Sequence, residues 1–164
     1  MIQNDFLIEL QLVGLTSRLK RLTDNILYST KDFYKAVGVD IEPNWHLIFL
    51  LLKKHEELTV TEISERLQMS HPAIVKIIRN MKAKEYIETK TDTNDSRKQL
   101  LYLTDKAKLA LPQLEKCWEA CILTMNELLE GNELFLKNLE LIEEKIGKKS
   151  YKERTLNNLK KIEK

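Results

Sequence analysis

Seven cations fall between residues 76 and 98: Lys76, Arg79, Lys82, Lys84, Lys90, Arg97 and Lys98, facing four carboxylates, Glu85, Glu88, Asp92 and Asp95. Cations at that density attract a polyanion, and a nucleic-acid backbone rewards each neutralised phosphate with released counterions. A charged run by itself is usually a solvated helix face, so the elements that carry it decide its meaning. Other chemistries find less support. His46, His55 and His71 lack metal-ligand spacing with one another or with Cys117 and Cys121. There is no G-x-S-x-G, no phosphate-cradling Gly loop and no H-E-x-x-H. The remaining carboxylates sit at the spacings of solvated Glu/Lys helix faces. No catalytic residue, cofactor or metal is therefore expected. Cys117 and Cys121 lie one helical turn apart beside Lys116 and could sense oxidants, but a reactive thiol needs an exposed, positive setting. Their neighbours Leu114, Trp118 and Met125 favour packing in a core or an interface.

The basic stretch lies inside Thr59 to Thr104, which reads as helix, tight turn, helix, strand, charged hairpin and strand. That order is a helix-turn-helix followed by a β-wing, which places its second helix in the DNA major groove. Thr59 and Glu62 form a T-x-x-E capping box that opens the first helix, 59–67. Gln68 and Met69 turn the chain. Ser70 can cap the recognition helix, 71–84, with Pro72 in its first turn. Ile74, Ile77, Ile78 and Met81 form an inward stripe, leaving Lys76, Arg79, Asn80 and Lys82 outside. Ala73 and Val75 could touch thymine methyls. His71 at the helix start could meet a phosphate or base edge, or be an exposed polar residue near a cap. Residues 86–103 form the wing, with Tyr86 to Lys90 and Gln99 to Leu103 as strands and a polar tip between them.

The flanks read as helices that need a partner. Ile8, Leu12, Leu15, Leu19, Leu22 and Ile26 alternate in steps of four and three, an apolar seam on an amphipathic helix. Gly38 is a plausible stop, and Pro43 suits the first turn of a buried helix over Trp45 to His55. Thr104 caps a long helix that continues through Ala107, Leu111, Leu114, Trp118, Cys121, Met125 and Leu128. Gly131-Asn132 breaks it. Phe135, Leu139, Ile142 and Ile146 make another apolar face, Gly147 interrupts again, and Ser150 with Glu153 opens a final helix.

With 43% hydrophobic and 32% charged residues the chain is globular, and the formal charge of +2 is too near neutral to argue for nucleic acid without the local clustering. No apolar run reaches the length of a membrane span, since Leu47 to Leu52 stops at Lys53-Lys54. The start, MIQNDFLIEL, lacks a basic region ahead of an apolar core, so no secretory signal is expected. Two Cys make no disulfide framework, and a reducing cytoplasm is the expected setting.

Residues from about Asn44 to Ala107 resemble the multiple-antibiotic-resistance regulator (MarR) family of bacterial transcription factors. The sharpest match is the wing: Asp95-Ser96-Arg97, a short strand, then Leu103-Thr104-Asp105-Lys106-Ala107, against the family's D-x-R and L-T-x-x-G. Departures stand out at four positions. Ala73 and Val75 sit where many members have hydroxyl residues and cannot donate hydrogen bonds from their side chains, Glu85 sits where Gly usually ends the recognition helix, and Ala107 replaces the Gly after L-T. The resemblance implies a mainly α fold with a small β-wing, divided into an N-terminal dimerisation helix (1–38), a winged helix-turn-helix domain (43–106) and C-terminal dimerisation helices (104–164). It further implies a homodimeric repressor on a pseudo-palindromic double-stranded DNA operator. Arg97 would enter the minor groove, with Asp95 positioning its guanidinium. Family members bind small aromatic or phenolic acids near the junction marked here by Tyr34, Trp45 and His46, although hydrophobic packing accounts for the same residues. The expected DNA-contacting set is Ser70, His71, Pro72, Ala73, Lys76, Arg79, Asn80, Lys82, Asp95, Arg97 and Lys98. A winged-helix module turned to protein contacts, without DNA binding, is the competing reading.

Overall fold

The structure, a computed structural model, describes residues 5–163. Residues 1–4 and Lys164, the outer edges of the two expected end regions, lie outside the described residues. The chain divides into two compact units, one reaching to Glu119 and one beginning at Ala120. The first holds α1 (Phe6–Glu9), α2 (Leu15–Ala36), a 3-10 turn (Pro43–Trp45), α3 (His46–His55), β1 (Glu57–Leu58), α4 (Val60–Leu67), α5 (His71–Ala83), β2 (Ile87–Thr91) and β3 (Gln99–Leu103). The boundary falls within α6 (Asp105–Leu129), and the second unit contains α7 (Glu133–Lys148) and α8 (Tyr151–Ile162).

Local chemistry explains most element ends. The Thr59 hydroxyl accepts from the Glu62 amide at 3.2 Å while the Glu62 carboxylate accepts from the Thr59 amide at 2.7 Å, so two orphan donors at the start of α4 are satisfied reciprocally. Ser150 and Glu153 repeat the device on α8. Gln68 takes a left-handed φ of 50° and closes α4 into the tight turn, and Glu85 does the same at 60° after α5. Glu85 holds that position without the freedom of glycine because its carbonyl accepts from the Thr104 hydroxyl at 2.7 Å. Lys106 donates to the Lys84 carbonyl at 2.8 Å and lies over the Tyr86 ring. The same Thr104 hydroxyl accepts from the Ala107 amide and starts α6.

The sheet is antiparallel in the order β1-β3-β2, with Ile87 opposite Leu103 and Thr91 opposite Gln99. Strand alternation turns Leu101 and Leu103 inward. They pack with Ile48, Phe49 and Leu52 of α3, Ile63 of α4, the Ile74, Ile77, Ile78 and Met81 stripe of α5, and Ala107, Leu114 and Trp118 of α6. Each such side chain contributes roughly 1.5–3 kcal/mol by leaving water. The core thus fixes α5 and the hairpin to one support.

Several expectations change. The seam from Ile8 to Ile26 is not carried by one helix. The chain turns after α1, with Gln11 at a φ of 47°, and restarts at Leu15. Gly14 permits the turn, because a Cβ there would lie 2.3 Å from the Leu7 carbonyl oxygen. Arg21 then clasps Asp5 through both carboxylate oxygens and holds α1 against α2. Gly147 interrupts nothing, since α7 runs on to Lys148. Ser70 occupies the cap position of α5, yet its side chain makes no capping bond, and Pro72 in the first turn removes one of the amides a cap would serve. The recognition helix ends at Ala83, one residue early. The two-residue β1 was not anticipated.

Candidate nucleic-acid interface on helix α5 and the wing

Four buried residues of α5, Ile74, Ile77, Ile78 and Met81, set the rotation of the helix. Its opposite face exposes His71, Pro72, Val75, Lys76, Arg79, Asn80 and Lys82, with no acidic residue among them. Ala73 is half-buried at the edge, and Ser70 is exposed ahead of the helix. Neither Lys76 nor Arg79 has an ion-pair partner among the described residues. Lys82 donates to the Thr89 hydroxyl on β2 at 3.0 Å, which braces the end of the helix against the wing. Lys84 and Lys90 are spent internally, on Asp40 and Glu57 respectively, so neither belongs to the open cationic face.

The wing tip is folded by its own carboxylates. Asp92 accepts from the Asn94 amide at 2.7 Å, and Asp95 accepts from the Arg97 amide at 3.1 Å. Asp95 also takes the Arg97 guanidinium in a fork, Nε at 3.1 Å and the terminal nitrogen at 3.3 Å. The Arg97 side chain is 89% exposed and Asp95 only 28%, so the acid sits at the base and the guanidinium projects. The bond from Arg97 holds the Asp95 carboxyl below its ordinary range. A single short turn therefore both builds the tip and aims its cation.

Between the wing and the start of α4 lies a cleft of about 470 Å³ lined by Thr59, Val60, Thr61, Glu62, Arg97, Lys98 and Gln99. Lys98 lies close enough to help lower the Glu62 carboxyl, whose main cause is the bond from the Thr59 amide. Thr61 and Gln99 join this edge of the interface. They were absent from the expected set, because only the β3 register brings the base of the wing beside α4.

The structure thus brings His71, Lys76, Arg79 and Lys82 onto one helix, with Asp95, Arg97 and Lys98 on the adjacent hairpin. Tyr34 and Trp45 are each 2% exposed and belong to the core. His46 is half-buried, its Nδ1 donates to the Pro43 carbonyl at 2.7 Å, and its ring lies 6.4 Å from that of Trp118. Trp45 does touch one surface hollow of about 250 Å³, shared with Asp40, Ile41, Glu42, Asn80, Ala83 and Lys84. Trp118 is 8% exposed, and its indole Nε1–H is buried without a hydrogen-bond partner. Cys117 is buried and Cys121 half-buried.

The family model of the MarR family matches residues 39–98, which span α3 to the wing tip. No curated protein matches the chain in sequence. Among solved structures, a DNA complex of MepR from S. aureus superposes with a TM-score of 0.69 at 19% identity, covering 80% of this chain and 97% of that one. The repressor CouR bound to a 23-mer duplex gives 0.66 at 23%, covering 79% and 92%. A mutant MarR from E. coli complexed with operator DNA gives 0.65 at 16%, covering 83% and 95%. At those identities the likeness establishes the shared fold.

Proposed function

We propose that the chain, whose residues 39–98 match the MarR family model, is a sequence-specific DNA-binding transcriptional regulator, a homodimeric repressor released by a small ligand. The observation that carries this is the acid-free outer face of α5 standing beside an Arg97 fork presented by Asp95. Helix α5 is sized and charged to enter a major groove. His71, Val75, Lys76 and Arg79 occupy its first turns, from which base edges are reached. Arg97 projects far enough to enter the neighbouring minor groove, whose negative potential favours a guanidinium. Lys76, Arg79, Lys82 and Lys98 would neutralise phosphates. A surface turned to protein contacts would have no reason to exclude every carboxylate from this face.

Dimerisation is supported by apolar surface that a single chain leaves open. Leu15, Leu19 and Leu22 on α2, and Phe135, Leu139, Ile142 and Ile146 on α7, are all exposed in helices with heptad spacing. A ligand near Tyr34, Trp45 and His46 finds its support in Trp118, whose unpaired indole N–H asks for an acceptor such as the carboxylate or phenolate of an aromatic acid. Such a ligand would act by favouring a spacing of the two α5 helices that DNA does not accept. No helix among the described residues is long and apolar enough to cross a membrane, and the setting we propose is the cytoplasm. The test is a mobility shift on the DNA upstream of the chain's own gene. A discrete complex that resists nonspecific competitor is expected, and its absence over a range of salt would refute the reading.

A further inference from the structure

Resting on the DNA-binding reading above, we propose that Val75 is a specificity-determining residue that reads the 5-methyl group of a thymine in each half-site. Val75 is 43% exposed in the second turn of α5 and lies outside the buried core. His71, Val75, Arg79 and Lys82 follow one another in steps of four, four and three, so they form one stripe ending where Lys82 meets Thr89 of the wing. On this stripe Val75 stands between His71 and Arg79, with Lys76 beside it in the chain. A β-branched side chain is also a poor choice for an exposed helix interior, where Ala or Lys would be the better helix former. The site therefore carries an apolar group at a cost to the isolated protein, in the middle of the surface most complementary to a polyanion.

The major groove offers one apolar feature, the thymine methyl. Val75 has no donor or acceptor beyond the backbone, so it cannot read a base by hydrogen bonding. Two methyl groups presented outward can, however, exclude water from a thymine methyl. Ala73 is the alternative on this helix, but it is half-buried and its single methyl lies toward the core edge. Arg79, one turn on and unpaired, would then read or anchor the next position.

The experiment uses the full chain and duplexes it enriches from a random pool. Each thymine of the enriched site is replaced in turn by deoxyuridine, which removes only the methyl. Wild type should lose about fourfold in affinity at one thymine per half-site, the worth of one buried methyl-sized group. Val75→Ala, which favours the helix, should bind the thymine duplex about as wild type binds a duplex carrying deoxyuridine at that position in both half-sites, and should no longer distinguish thymine from deoxyuridine there. If an enriched duplex shows no thymine sensitive to the replacement, or if Val75→Ala keeps the full sensitivity, the assignment to Val75 is overturned while DNA binding stands. If no duplex is enriched, the DNA-binding reading itself falls, and this inference with it.

Discussion

Asp95 and Arg97 show how two residues can be tied together by a turn so short that neither can be changed without moving the other. Asp95 accepts both the amide and the side chain of Arg97, so the acid orders the backbone of the tip as well as the fork. Arg97→Ala should leave the fold intact, since the side chain supports no core, and should weaken operator binding by about tenfold or more, within the roughly 1–3 kcal/mol of a good groove contact. Arg97→Lys should recover little, because a point charge cannot be held in a carboxylate fork. Asp95→Ala should act in the same direction but more weakly, and fluorescence anisotropy on one labelled duplex ranks the three. Lys76 makes a different contribution. As an unpaired cation on α5 it should act through a phosphate, so Lys76→Ala should lower affinity and flatten the log K against log salt slope by about 0.9. An unchanged slope would move Lys76 from the backbone to a base. The outward placement of Lys76, Arg79, Asn80 and Lys82 was legible in the sequence because α5 has a four-residue inward stripe that fixes its outward face. The idle role of Lys84 and Lys90 was not legible, since Asp40 and Glu57 come from elements distant in the chain. Nor was the burial of Tyr34 and Trp45, because the same aromatic residues suit a core and a pocket.

Elements were readable where their signals are local. The T-x-x-E and S-x-x-E boxes, the polar wing tip and strand β3 each depend on residues within a few positions, and all appear where expected. The break between α1 and α2 was hidden because the apolar steps of four and three continue straight across Gln11 and Gly14, so the periodicity cannot see a reversed φ. Strand β1 was hidden because two residues have no period. The α4 capping box yields a pH prediction. Hydrogen bonds from Thr59 hold the Glu62 carboxyl below its ordinary value of 4.5 in the folded chain. Its stabilisation is therefore full above that value and is lost as the pH falls through the lowered one. Thr59→Ala should cost about 1 kcal/mol at neutral pH, and thermal melts should show this difference shrinking in acid. A difference that stays constant would mean the Glu62 charge plays no part. Helix α6 offers the opposite case. Pro112 lies exposed in its interior, where it removes a backbone donor. The helix persists because Leu114, Cys117 and Trp118 are buried just beyond it. Pro112→Ala should raise stability by about 1–3 kcal/mol in denaturant unfolding. A neutral or destabilising result would show that α6 needs a bend there.

At the scale of the whole molecule, the apolar residues that one chain leaves exposed set the problem that a second copy would solve. Leu15 and Leu19 lie on the open face of α2, so the double variant Leu15→Asp, Leu19→Asp should sediment as a monomer or unfold. It should also lose operator binding even at concentrations where single winged domains could touch DNA. An intact dimer from that variant would remove this seam from the interface. The proposed dimer would convert two weak, salt-dependent grips into one site with a fixed spacing. A twofold protein imposes its symmetry on the DNA it selects, with recognition helices about one turn apart, roughly 34–36 Å. The central claim is therefore tested most directly by hydroxyl-radical footprinting of the full chain on a duplex it enriches from a random pool. Two inverted half-sites whose centres lie about 10 base pairs apart are expected, each flanked by a protected minor groove that becomes cleavable again with Arg97→Ala. Enrichment of no duplex, or a protected site without twofold symmetry and indifferent to Arg97→Ala, would contradict it.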